Sequence, residues 1–245
     1  MKKIHTATIT MLLPLCAFGS EVIAYDQDYI EALDYLNKAQ SSIEQYDQLP
    51  SKEPNPQEQR EAFTRYISLT HKAIPALKRS ADQNNAASQY LLAIAFRLPL
   101  TAEHDRNRMC DLFIKSAVLG FTPAALALMG SCTEAIEPDQ VSNLLKVALS
   151  SEQKYRNYYP APALTYRLCT PNSPSALSLP LLSQAEFEAE AYYALGRATR
   201  GSENTALMNK LAFHEAAVKR GCKPAEAVTE SLREHVKKIN GEHGS

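Results

Sequence analysis

The strongest constraint on this 245-residue chain is a short pattern that recurs along it. Ala76-Leu77-Lys78-Arg79-Ser80-Ala81-Asp82-Gln83-Asn84 runs directly into Asn85-Ala86-Ala87-Ser88-Gln89-Tyr90-Leu91-Leu92-Ala93. The stretch from Leu112 to Gly120 runs into Phe121-Thr122-Pro123-Ala124-Ala125-Leu126-Ala127-Leu128 in the same way. So does the stretch from Phe213 to Gly221, followed by Cys222-Lys223-Pro224-Ala225-Glu226-Ala227-Val228. Each copy sets a pair of small residues shortly before Gly or Asn, then opens the next segment with more small residues. Gly120, Gly221 and Asn84 can take the left-handed backbone that ends a helix. Pro123 and Pro224 suit a first helical turn, and the alanines let two antiparallel helices approach closely. Asn84 and Gly120 stand 36 residues apart, a spacing shared by arrays of helical hairpins. The interval to Gly221 holds a degenerate copy at Leu144–Ser151, and a further helix opening at Ser183-Gln184-Ala185-Glu186 with capping-box spacing.

Ahead of the repeats, Tyr29, Ala32, Leu33, Leu36, Ala39, Ile43 and Tyr46 recur every three or four positions. This predicts an amphipathic helix over 28–48. Pro50, Pro54 and Pro56 mark a linker. A helical stretch from about Gln57 to Asp82 follows, with Pro75 expected in the first turn of a separate helix, where its missing N–H costs little. Pro160, Pro162, Pro171, Pro174 and Pro180 interrupt the array, either as a loop folded against one face or as a hinge between two blocks. The expected organisation is a leader at 1–24, an N-terminal helix and linker at 25–56, and a first repeat block at 57–159. The Pro-rich interruption at 160–182, a second block at 183–232 and a polar tail at 233–245 complete it.

The leader is read from Met1-Lys2-Lys3, a mostly apolar run from Ile9 to Phe18, and small residues at peptidase spacing. Cleavage after Gly19 or Ala24 would start the exported chain at Ser20 or Tyr25. The apolar run is shorter than the roughly 20 residues of a membrane span. Cys16 lacks the small preceding residue that lipidation favours, since Leu15 stands there. The expected location is therefore the periplasm, with no membrane insertion once the leader is removed. Loss of 1–24 leaves 24 basic and 26 acidic residues, too even a balance for nucleic acid to be the partner.

It also leaves four cysteines, Cys110, Cys132, Cys169 and Cys222. An even count in an oxidising compartment favours disulfides over metal ligation. Cys110 and Cys132 flank Gly120 at similar distances, so a hairpin turning there would bring them to one open end. Closing that loop would stabilise by about 3 kcal/mol. Cys169 and Cys222 can also pair, with no spacing that argues for it.

No cofactor site and no catalytic group stands out, so a non-enzymatic role is expected. His214-Glu215-Ala216-Ala217-Val218 begins like a zinc-protease helix but lacks the second histidine, and reads as the polar face of a repeat helix. Glu186, Glu188 and Glu190 alternate along a helix and splay around it. Tyr155, Arg156, Tyr158 and Tyr159 cluster before Pro160. Tyrosine with arginine is the composition of protein-binding surfaces, and the same rings could equally pack one repeat on the next. The helical tyrosines Tyr90, Tyr192 and Tyr193 are expected to pack.

The stretch Glu190-Ala191-Tyr192-Tyr193-Ala194-Leu195-Gly196, continued by Ala217-Val218-Lys219-Arg220-Gly221 and Ala225, resembles the Sel-one-like repeat family, a branch of the tetratricopeptide-type proteins. The stretch 81–125 resembles it less fully, with Ala93 at a usual glycine. The family's usual tryptophan is missing, Leu112 and Phe213 standing in its place. The resemblance implies an all-α fold, a right-handed α-solenoid of antiparallel helical hairpins with an extra N-terminal amphipathic helix. It further implies a protein partner. The leading expectation is an inhibitor or immunity protein against an envelope-acting secreted toxin such as a lipase effector, and the alternative is a regulator or adaptor of an envelope sensor or enzyme. The expectation of another class is a cell-wall or small-molecule binding protein, or an enzyme, using a cleft between the blocks.

Overall fold

The computed structural model describes residues 26–49, 55–97, 105–164, 168–169 and 178–242. The expected leader, at 1–24, lies outside them. The described chain is almost entirely helical: α1 (Gln27–Gln48), α2 (Pro56–Asp82), α3 (Ala86–Arg97), α4 (Arg106–Val118), α5 (Thr122–Ser131), α6 (Pro138–Ser150), α7 (Gln184–Ala198), α8 (Asn204–Lys219) and α9 (Lys223–Glu242). A 3₁₀ turn at Glu152–Tyr158 follows α6, and a two-residue antiparallel pair joins β1 (Ala161–Pro162) to β2 (Leu181–Leu182). Each helix packs chiefly on its neighbours in sequence. None of the described helices is long and apolar enough to cross a membrane.

The repeated motif builds one corner three times. Asn84, Gly120 and Gly221 have φ of 63°, 94° and 91°. After each, the next N–H reaches back to a small residue: Asn85 to the Ser80 carbonyl at 3.3 Å, Phe121 to Ser116 at 3.2 Å, Cys222 to Ala217 at 3.1 Å. These bonds satisfy carbonyls that the helix end would otherwise orphan. Ser80, Ser116 and Ala217 are each 0% exposed, because the returning helix crosses on top of them. The Ser116 hydroxyl donates to the Ala86 carbonyl at 2.7 Å, so a larger residue there would push α3 and α4 apart. Helix starts are equally local: Asp26, Asn55 and Asp105 accept from the first free N–H groups of α1, α2 and α4. Ser183 and Glu186 form the expected capping box on α7.

Three expectations are corrected. Pro75 starts no new helix, because α2 runs unbroken from Pro56 to Asp82. Pro75 is exposed while Ala73, Ile74, Ala76 and Leu77 are buried, so packing on both sides holds the helix through the missing hydrogen bond. The polar tail is helical as far as Glu242, since Leu232, Val236 and Ile239 share a face that packs on Leu207 and Leu211 of α8. His214 is 1% exposed rather than on a polar face. Its ring lies against Gly196, where a Cβ would come within 2.7 Å of Nε2, and meets Tyr193 edge-on at 5.2 Å.

Both cysteine pairs are bridged. Cys110–Cys132 forms as expected, with Cα atoms 5.6 Å apart, and Cys169–Cys222 has Cα atoms 4.6 Å apart. Two disulfides fit an oxidising, exported environment. The second bridge is one of several ties between the helices and the described parts of the Pro-rich segment. Buried Glu190 accepts from the N–H groups of Leu168 and Cys169. The Tyr90 hydroxyl donates to the Pro162 carbonyl, Asp47 accepts from the N–H and hydroxyl of Ser178, and Gln40 donates to the Leu179 carbonyl.

Two predictions follow from these corners and from His214. Gly221→Ala meets nothing within 4 Å and should cost only the left-handed penalty of about 1–2 kcal/mol. Gly120→Ala would also press a Cβ within 2.6 Å of Ser151 Oγ and 2.7 Å of Ser151 Cβ, raising the cost to about 2–4 kcal/mol. Urea unfolding of the two variants checks the order, and equal losses would contradict it. Neither His214 nitrogen has a hydrogen-bond partner among the described residues. Burial, then Lys210 and Arg197, pushes its pKa below the ordinary imidazole value. The unfolded chain therefore binds a proton that the folded chain resists, and stability should fall as pH drops through about 6.5. Unfolding measured at pH 7.5 and pH 5.5 should show that fall, and His214→Leu should flatten it.

Candidate functional site

The Pro-rich segment roofs a recess on one side of the molecule. Its tyrosine end, Asn157–Pro160, faces α1 together with Pro162, Leu179 and Leu181, while α2 and α3 close the back. The recess is open on one side and has a volume of about 380 Å³. Buried Tyr29, Ala39, Ile43, Thr70, Leu91 and Ala95 form the floor. Half-buried Leu33, Leu36, Tyr66, Ile94, Tyr158 and Tyr159 form the walls. Asn37, Asn157 and Leu181 are exposed and mark the mouth. Among the described residues the lining contains no Asp, Glu, Lys, Arg or His. Burial raises the pKa of Tyr66, so that phenol is neutral at any physiological pH. Its backbone carbonyl accepts from the Thr70 hydroxyl at 2.9 Å, which leaves a satisfied, uncharged wall.

The four residues expected to bind a partner divide between two roles. Tyr155 is 5% exposed, its hydroxyl bonded to the Leu119 carbonyl at 2.7 Å and its ring 5.4 Å from Phe121. It fastens the 3₁₀ turn to the Gly120 corner and is withdrawn from the binding set, because a partner cannot reach it. Tyr158 meets Tyr29 of α1 edge-on at 5.0 Å. Tyr159 bridges Phe121 and Phe187, 5.8 Å from each ring, and both tyrosines keep part of their surface on the recess. Arg156 is exposed, as are its neighbours Lys154 and Asn157. The turn thus points aromatic rings inward and cations outward.

Other expected features separate in space. Glu186 caps its own helix, Glu188 pairs with Arg220 at 2.7 Å, and Glu190 holds Leu168 and Cys169. The three carboxylates serve three different structural ends, as their splay implied. Arg220 also covers the Tyr192 ring at 4.4 Å. No group of three or more His, Cys, Asp or Glu among the described residues could hold a metal ion.

The contribution of α1 was not legible beforehand. Its apolar stripe reads as ordinary core, and the only available signal was that the stripe is too wide for one neighbouring helix. Ala32 and Ala39 are 0% and 1% exposed, whereas Leu33 and Leu36 in the next column turn toward the recess. Compared with protein-family models, curated proteins and solved structures, the chain matches none.

Because Tyr155 acts within the fold, Tyr155→Phe should cost about 1 kcal/mol for one lost hydrogen bond. Thermal unfolding checks this, and an unchanged midpoint would show that the bond to Leu119 contributes nothing.

Proposed function

We propose that the protein is an exported, non-catalytic helical-repeat protein, a right-handed solenoid of antiparallel hairpins, that binds a protein partner. Three corners with the same left-handed residue and returning hydrogen bond, and the packing of each helix on its sequence neighbours, support the solenoid reading. The resemblance of 189–226 to Sel-one-like repeats supports it further. The observation that carries the binding role is the 3₁₀ turn at Glu152–Tyr158. Tyr158 at its end and Tyr159 just after it are braced by Tyr29, Phe121 and Phe187, and Lys154 and Arg156 are exposed on the same turn. A surface held rigid before contact loses little entropy on binding, and Tyr with Arg is the pairing that dominates interface energies.

The partner class is an envelope-acting secreted toxin, such as a lipase effector, which this protein would block as its inhibitor or immunity protein. Regulation of an envelope sensor or enzyme through the same surface is the alternative. A reading of another class, binding of a small molecule, is favoured by one observation, the uncharged recess beside the turn.

The test is capture from envelope extract by the disulfide-bonded protein and by a Lys154→Glu/Arg156→Glu variant. Both substitutions are exposed, so stability should hold within about 0.5 kcal/mol. The unaltered protein should retain a partner whose enzymatic activity falls in the purified complex, and the variant should retain at least tenfold less. A partner held equally by both forms, or none held by either, would refute the assignment to this surface.

A further inference from the structure

We infer that the recess between α1 and the Pro-rich segment is a binding site for a single hydrocarbon chain ending in a neutral hydrogen-bonding group, such as a medium-chain alcohol or acyl ester. The inference rests on the recess alone and does not depend on a protein partner.

Size comes first. Folded interiors leave few voids larger than one water, and this recess, at about 380 Å³, falls among small-molecule sites of ~300–1,000 Å³. Shape comes next. The lining residues of α1 run from Tyr29 to Ile43 along one face, about 21 Å at ~1.5 Å per residue. The site is therefore long and narrow, and suits a linear ligand.

Chemistry narrows the class. With no charged or imidazole side chain in the lining among the described residues, an ionised group inside would lose its hydration and gain no counter-charge from them. An extended peptide would bring an N–H and a carbonyl at every residue, and the polar side chains of the lining are too few to meet them all, since Thr70 already donates to the Tyr66 carbonyl and Gln40 to that of Leu179. A hydrocarbon chain needs only apolar contact, which Leu33, Leu36 and Ile94 supply with the faces of Tyr158 and Tyr159. One polar end would sit at the mouth, where Asn37 and Asn157 are exposed, and an amide both donates and accepts.

The experiment is titration calorimetry of the disulfide-bonded full chain with 1-decanol, decanoate at pH 8 and 1-butanol. Decanol should bind saturably at one site, with decanoate and butanol each at least tenfold weaker. Leu36→Trp and Ile94→Trp fill the recess from half-buried wall positions, and each should lower decanol affinity at least tenfold. Circular dichroism of each variant verifies its fold, and the loss must appear in a variant that retains the native spectrum. No saturable binding of decanol, equal binding of decanoate, or undiminished binding in a folded Trp variant would overturn the inference. The Lys154→Glu/Arg156→Glu variant should bind decanol normally even where it loses a protein partner, so the two readings fail separately.

Discussion

The three corners at Asn84, Gly120 and Gly221 each combine a residue at positive φ with a fully covered small residue four positions before it. Ser80, Ser116 and Ala217 are fully covered, and the covering chain is the one that Asn84, Gly120 and Gly221 have just turned back. The two requirements are coupled. At these three corners a large residue four positions before the turn would stand in the path of the returning chain. A small residue without the left-handed turn would leave carbonyls unpaired in a buried corner. Asn84 shows that the conformation, and not glycine itself, is what the fold demands. The Gly120 corner adds a third requirement, because Ser151 and the Tyr155 hydroxyl close over it. Here the helical hairpin becomes the foundation of the aromatic turn, and so of the candidate site.

From that corner a chain of rings runs outward. Phe121 meets Tyr90, Tyr155 and Tyr159, Tyr158 continues to Tyr29 on α1, and Tyr159 continues to Phe187 on α7. A protein without tryptophan has joined its first and seventh helices through tyrosine and phenylalanine. Tyrosine suits this place because its hydroxyl can end on a carbonyl, as Tyr90 does on Pro162 and Tyr155 on Leu119. The rings fill space, and their hydroxyls fix where irregular backbone must lie.

What could be read from the sequence was what is decided within one helix or one hairpin. The corners, the Ser183 capping box, the helical period of α1 and the Cys110–Cys132 bridge across one hairpin all belong to that class. What failed was decided by contacts between distant segments. Pro75 reads locally as a helix start, yet α1 and α3 hold Ile74 and Leu77 so firmly that the helix continues. His214 follows a polar-looking period, but Gly196 on another helix makes room for its ring. Cys169 meets Cys222 across a 53-residue separation, with Glu190 holding the loop in place, and no spacing could announce that. The tyrosine cluster was found from composition, while its division into a buried Tyr155 and two half-open rings depended on Phe121 and Tyr29 arriving from elsewhere.

The recess exists because its width is set by polar ties rather than by apolar collapse. Left to hydrophobic contact alone, the Pro-rich segment would settle onto Leu33 and Leu36 and close the space. Instead Gln40 and Asp47 hold Leu179 and Ser178 at hydrogen-bond length from the outer face of α1, while Tyr90 pins Pro162 from the opposite side. Each tie carries a direction as well as a distance, so moving the roof inward would break the bonds that place it. Beside these ties, Tyr158 meets Tyr29 edge-on at 5.0 Å and links the turn to α1 directly. α1 thus has two working columns: Ala32 and Ala39 let it lie close on its neighbour, and Leu33 and Leu36 look across a gap that this close packing cannot fill.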